Sequence, residues 1–262
     1  MIRYPSIDPE ILRVGPFAVR WYGLMYVLGF VSSYVLVRHQ VKKRRLPLTG
    51  DFLDSFYSSL IFGLIIGARL GYVLFYNLAF YLQHPLDVFA LWHGGMSFHG
   101  GFIGSVLAGV WCCKRFKTDP WLVADLVAVT APIGLGFGRL GNFINGELYG
   151  RITAVPWGMI FPGGGPLPRH PSQLYEFCLE GVVLFTILWT IKDRVRQTGV
   201  VIALFVSLYG LLRIIAEFFR EPDPQLGYIA GPFTMGQALS ACMVLAGIVL
   251  LYFRSHREAP PS

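Results

Sequence analysis

The sequence predicts an all-α integral membrane protein of seven transmembrane helices, with its amino terminus outside, its carboxyl terminus cytoplasmic and a small periplasmic cap. Three observations lead there. Hydrophobic residues fill 54% of the 262 positions and charged residues only 14%, above and below the usual composition of a soluble domain. Seven apolar windows are long enough to cross about 30 Å of hydrocarbon at 1.5 Å per helical residue. Lysines and arginines gather at alternate ends of those windows, which is the pattern of a fixed orientation in a bilayer.

In order, the windows cover residues 19–37, 55–76, 97–113, 121–141, 173–191, 199–219 and 234–253 of one transmembrane domain, 1–262. Taking the segment after the first span as cytoplasmic puts Arg38, Lys42, Lys43, Arg44 and Arg45 inside. Lys114, Arg115 and Lys117 then follow the third span on that side, Lys192, Arg194 and Arg196 the fifth, and Arg254 and Arg257 the seventh. The opposite loop, 77–96, holds no lysine or arginine but carries Phe80, Tyr81, Phe89 and Trp92, the composition of an interfacial arm in the headgroup region. The second outer segment, 143–171, is rich in glycine and proline and is expected to form the cap; an ordinary connecting loop is the plainer alternative. No signal peptide is expected, because Asp8 and Glu10 stand among Pro5, Pro9 and Pro16 where a basic segment and a short apolar core would lie.

The net charge of +7 is mostly this topology. The basic clusters sit at span ends without a separate soluble domain, so a nucleic-acid partner is not expected. Cys112, Cys113, Cys178 and Cys242 show neither a CxxC motif nor metal-ligand spacing and read as small packing residues. No metal and no cofactor are indicated.

The polar residues within the spans are the informative ones. Tyr209, Arg213, Glu217 and Arg220 recur at i, i+4, i+8 and i+11 and share one stripe of the sixth span. Each ionisable group at membrane depth costs roughly 2.5–3.5 kcal/mol on insertion scales, so the stripe must face protein or water. Tyr22, Arg69, His99, Arg139 and Asn142 all fall toward the outer ends of their spans, which predicts a site at the outer leaflet. Residues 136–141 formally satisfy GxGxxG, but no strand precedes them and no acidic residue follows at the dinucleotide spacing. Gly134 and Gly136 suit helix packing as well as the close approach of a headgroup. An arginine fork at Arg139 matches phosphate oxygens, and it has no acidic partner three or four residues away.

Five blocks in order resemble the prolipoprotein diacylglyceryl transferase family: Trp21-Tyr22-Gly23, Ser97 to Gly101, Gly138 to Glu147, Arg169 to Glu176, and Tyr209 to Arg213 continuing to Arg220. The resemblance runs nearly end to end. It implies a bacterial inner-membrane enzyme, its active site facing the periplasmic leaflet. Such an enzyme moves the diacylglyceryl group of phosphatidylglycerol onto the lipobox cysteine of a prolipoprotein signal peptide, with membrane lipids around it and glycerol phosphate released. By the same resemblance, Arg139 and Asn142 sit in the family's signature, Tyr22 and His99 in two further functional blocks, and Tyr209, Arg213, Glu217 and Arg220 in the sixth-span block; Arg139, Asn142, Tyr22, Gly150, Tyr209, Glu217 and Arg220 are expected to contact the phospholipid, and His99, Arg139, Arg213 and Glu147 to be catalytic.

A thiol of reference pKa about 8.5 has to lose its proton and displace a phosphate. Arg139 and Arg213 suit the departing charge. His99 suits the base, with Glu147 or Glu217 as alternatives. Each also has a structural reading: Glu217 pairing Arg213 and Arg220 along its own helix, His99 capping or packing at a helix start, and Tyr22 anchoring in an aromatic belt. A transporter of an anionic or lipid substrate would also collect arginines in a membrane bundle, but it predicts an internal repeat that the sequence lacks.

Overall fold

The computed structural model describes residues 2–5, 7–15, 17–222, 227–231 and 233–256; Pro16 and Arg257, both used in the topology argument, lie outside them. Its long elements are helices: α1 (Trp21–Lys43), α2 (Gly50–Tyr76), α4 (Phe98–Arg115), α5 (Pro120–Asn145), α6 (Ser172–Ile191), α7 (Val200–Glu217) and α8 (Met235–Ser255), with the short α3 (Leu78–Gln83) after α2. Five of these, α2, α5, α6, α7 and α8, are long and apolar enough to cross a membrane. Their starts are written in the sequence. The Thr49 hydroxyl accepts the Phe52 N–H ahead of α2, and Thr234 and Gln237 close a reciprocal capping box on α8.

The chain forms two compact units, residues 38–123 and the remainder on either side of them. In the smaller unit, α2 and α4 cross at glycines. A Cβ on Gly71 would stand 2.8 Å from the Gly100 Cα, and one on Gly67 would stand 2.8 Å from the Gly104 Cα, so only hydrogen at these positions allows the two backbones to touch. The arm then folds as α3 and two 3₁₀ turns, Pro85–Phe89 and Leu91–His93. Phe80, Phe89 and Trp92 are exposed along it. Arg69 corrects its sequence reading. Rather than facing a ligand, it is buried and donates to five arm carbonyls: Asp87, Val88, Ala90, Gly94 and Gly95. Its guanidinium also stacks over the Tyr81 ring.

The larger unit is built on α5, α6 and α7, whose shared core is Val129, Leu184, Leu188 and Val201. Asp125 of α5 accepts the N–H groups of Gly199 and Ile202 at 2.7 and 2.8 Å and so caps α7 from a neighbouring helix. At the same end, Arg254 of α8 donates to the Thr198 carbonyl and hydroxyl. α1 joins through a 2.7 Å hydrogen bond between the hydroxyls of Ser33 and Thr130. Gly134 packs against Gly29 and Gly136 against Gly181, which decides in favour of helix packing for both.

The cap is small and irregular. α5 continues to Asn145, so the cap begins later than residue 143. Its backbone is stitched by Gly150 N–H to the His170 carbonyl, His170 N–H to that of Arg151, and Met159 and Arg169 to each other. Strand β1 (Ile2–Arg3) pairs in parallel with β4 (Met159–Ile160). The Tyr4 hydroxyl donates to the last carbonyls of α5 at Phe143 and Ile144. Hairpins β2 (Glu10–Val14) with β3 (Phe17–Arg20), and β5 (Tyr228–Ala230) with β6 (Phe233–Thr234), lead into α1 and α8.

Candidate active site

Arg139 enters the larger unit's interior from the last turns of α5. Three residues earlier, Gly136 meets Gly181 of α6 closely enough that a Cβ on Gly181 would lie 3.0 Å from the Gly136 Cα. That approach carries Arg139 to two carboxylates on α6. Its Nε lies 2.9 Å from Glu176 Oε2, and its Nη2 lies 3.2 Å from Glu180 Oε2. From α7, Arg213 Nη1 reaches Glu176 Oε1 at 2.5 Å and Glu180 Oε1 at 3.4 Å, while its Nη2 reaches Glu217 at 2.7 Å. Arg220 completes the cluster 3.6 Å from Glu176. The Glu176 and Glu180 side chains are fully buried.

Sequence reasoning missed Glu176 and Glu180 as partners. Spacing along a single helix leaves Arg139 without an acidic neighbour, whereas its partners come from α6. The signal was present: two carboxylates four residues apart inside an apolar span are as conspicuous as the arginine stripe. α6 is also wound as a π-helix over Phe177–Val183, a distortion that recurs at functional sites. The stripe itself holds with one amendment. α7 ends at Glu217, so Arg220 lies beyond the helix, held by a backbone bridge to Gly150. Tyr209, four residues before Arg213, lies within electrostatic reach of Arg139, Arg213, Glu176 and Glu180.

Around Arg139 the signature supplies a second layer. The Tyr22 ring covers Gly141, where any Cβ would come 2.8 Å from Tyr22 Cδ2. Its hydroxyl sits 3.3 Å from that of Tyr26. Asn142 is buried and donates to Glu147 Oε1 at 2.9 Å; Asn145 donates to the same oxygen. Among the described residues Glu147 Oε2 takes no partner, and neither does Arg139 Nη1. Gln173 and Ser172 hold the turn from above by donating to the carbonyls of Glu147 and Leu148. Gly150 is needed for space: a Cβ there would stand 2.7 Å from the His170 Cβ and nearer still to the Phe219 carbonyl.

Two basic cap residues serve structure. Arg169 binds the Gly164 and Gly150 carbonyls and Glu221. His170 Nδ1 lies 3.1 Å from the Tyr175 hydroxyl, which accepts from Trp157. Burial pulls His170 below the ordinary histidine pKa.

His99 stands apart in chain terms. It belongs to the smaller unit, in the first turn of α4, where it is exposed with its ring against Phe98. The cap of that helix is Ser97, whose hydroxyl accepts the Gly100 N–H, so His99 is not the capping residue. Apart from Arg69, every other residue predicted for the site lies in the larger unit. Glu217 has both oxygens engaged, one by Arg213 and one by the Thr234 hydroxyl.

Comparison with known proteins gives the chain's family. A family model described as prolipoprotein diacylglyceryl transferase matches residues 9–253. Proteins named phosphatidylglycerol-prolipoprotein diacylglyceryl transferase are similar along the whole chain. The one from Geobacter sulfurreducens is 56% identical over 260 residues, covering 99% of this chain and 100% of its own. That from Desulfotalea psychrophila is 54% identical, with coverage of 97% and 96%, and that from Pseudomonas aeruginosa strain UCBPP-PA14 is 50% identical, with 99% and 98%. With the family model matching residues 9–253 and these relatives 50–56% identical along nearly the whole chain, the chain belongs to the prolipoprotein diacylglyceryl transferase family.

Proposed function

We propose that this protein transfers the sn-1,2-diacylglyceryl group of phosphatidylglycerol to the lipobox cysteine of a prolipoprotein signal peptide. The observation that carries the reading is the cluster around Arg139. Its guanidinium is held in place by two buried carboxylates through Nε and Nη2, and it keeps Nη1 for an incoming phosphate oxygen. The relatives named above are all named for this transfer, and nothing in their names speaks for a transporter.

In the step, the cysteine sulfur attacks the glycerol carbon bearing the phosphate ester. A C–S bond forms, the C–O bond to phosphorus breaks, and glycerol phosphate leaves with the electron pair. Fixed guanidinium groups facing that developing charge in a water-poor site lower the barrier by several kcal/mol. The thiol proton goes to a base. His99 is our first assignment, because a histidine imidazole is the side chain most often used as a general base. Glu147 is the second, supported by its unpartnered Oε2; Glu217, occupied on both oxygens, is the weakest of the three. Tyr22, Asn142, Gly150, Tyr209, Glu217 and Arg220 serve the phospholipid site as contacts or supports.

The same reading makes α1, of 23 residues, and α4, of 18, the two spans additional to the five apolar helices. The seven then form one transmembrane domain, amino terminus outside, in a bacterial inner membrane with the site open to the periplasmic leaflet. The test is direct. Purified protein, radiolabelled phosphatidylglycerol and a lipobox peptide should give a thioether-linked lipopeptide and glycerol phosphate in equal amounts. Absence of labelled peptide with folded protein would refute the assignment.

A further inference from the structure

The cluster is balanced: Arg139, Arg213 and Arg220 face Glu176, Glu180 and Glu217. A site needing only to grip phosphate would dispense with buried carboxylates, because each weakens the pull of its neighbours on an anion. The three acids are also unequal. Glu176 contacts all three arginines and acts as the hub. Glu217 pairs along its own helix and accepts from Thr234. Among the described residues Glu180 pairs with Arg139 and Arg213 alone, from within the π-wound stretch of α6 and fully buried.

Building on the proposed reaction, the charge on phosphate rises during turnover. The lipid phosphodiester carries one negative charge, whereas a phosphate monoester, with its second pKa at about 6, carries close to two at pH 7. An uncompensated pair of guanidinium groups would therefore hold the product harder than the substrate. We infer that Glu180 is a positioning residue that governs product release: by sharing Arg139 and Arg213 with the phosphate, it keeps the dianionic product from being trapped.

The test uses the full chain in detergent micelles, as wild type, Glu180→Asp and Glu180→Gln, with glycerol 1-phosphate as the probe. Removing a unit charge acts on a dianion with about twice the energy it exerts on a monoanion. A threefold tightening toward phosphatidylglycerol should thus accompany a roughly ninefold tightening toward glycerol phosphate. Expected for Glu180→Gln is a lower KM, a product inhibition constant lower by about the square of that factor, and a reduced kcat preceded by a burst of thioether. Glu180→Asp, its carboxylate drawn back, should fall between wild type and Glu180→Gln, which keeps the comparison available if the glutamine variant does not accumulate. A purely structural role would instead raise KM and the inhibition constant together. An inhibition constant at or above wild type in either folded variant overturns the inference. Wild-type protein that transfers nothing refutes the functional reading instead, since glycerol phosphate binding is also measured directly by calorimetry.

Discussion

Arg139 shows what a single side chain is asked to do. Two of its nitrogens are fixed by Glu176 and Glu180, so its planar fork, and not its charge alone, defines the direction in which the remaining nitrogen points. Arg139→Lys should keep the charge balance yet lose transfer by about 100-fold or more, near the loss seen when one oriented donor is removed from a reaction centre. Its unfolding temperature should change little; radiolabel transfer and thermal unfolding of the same preparation check both parts. His170 makes a pH prediction. Burial depresses its folded pKa, so below the unfolded value of about 6.5 the unfolded chain binds more protons, and stability falls as pH drops through that value toward the folded one. Thermal unfolding between pH 8 and 5 should show this acid slope, and His170→Gln should flatten it. Much of this scale was legible in the sequence: the stripe of Tyr209, Arg213 and Glu217 follows from helical spacing alone. The partners of Arg139 were not, because i and i+4 arithmetic sees one helix at a time. Arg69 misled for a related reason. A buried arginine signals a need for acceptors without saying whether a ligand or the chain's own carbonyls provide them.

At the scale of elements, helix ends do as much as helix faces. Asp125 caps α7 from α5 with two N–H acceptances, toward the opposite end of α5 from Arg139. Asp125→Ala should cost about 1–2 kcal/mol, the usual range for a lost cap, and lower the unfolding temperature. The surviving folded fraction should retain its specific activity per mole, which separates a stabilising contact from a catalytic one. Helix existence was predictable because the apolar windows run 17–22 residues, close to what a membrane crossing takes. The helix limits were less so. α1 continues past residue 37 to Lys43 and α5 continues past residue 141 to Asn145, since nothing at the bilayer edge obliges a helix to stop where its hydrophobicity does. The π-helical winding of α6 had no periodic signature. Glu180, inside that stretch, pairs with arginines from α5 and α7, contacts that a reading of one helix does not contain.

For the whole molecule, the charge pattern argues orientation. Lys114 is exposed at the end of α4, while Gly163 lies in the cap, where an added Cβ meets only the Tyr149 ring edge and hydroxyl at 3.8–3.9 Å. In a background lacking the laterally exposed Cys178 and Cys242, Gly163→Cys should react with a membrane-impermeant maleimide in cells whose outer membrane is opened but whose inner membrane is intact. Lys114→Cys should react only after the inner membrane is permeabilised; the reverse pattern would invert the topology. Under the proposed topology the +7 charge serves orientation more than binding.

One stitch in the cap reaches further than its size suggests. Gly150 bridges Arg220, and the Arg151 N–H and guanidinium hold the carbonyls of Phe219 and Arg220. Main chain is thereby sewn to main chain just beneath a charged head. A load on the cap would pass to Arg220 along the backbone hydrogen bonds of this seam, so a redesign of the cap has to leave them uncut.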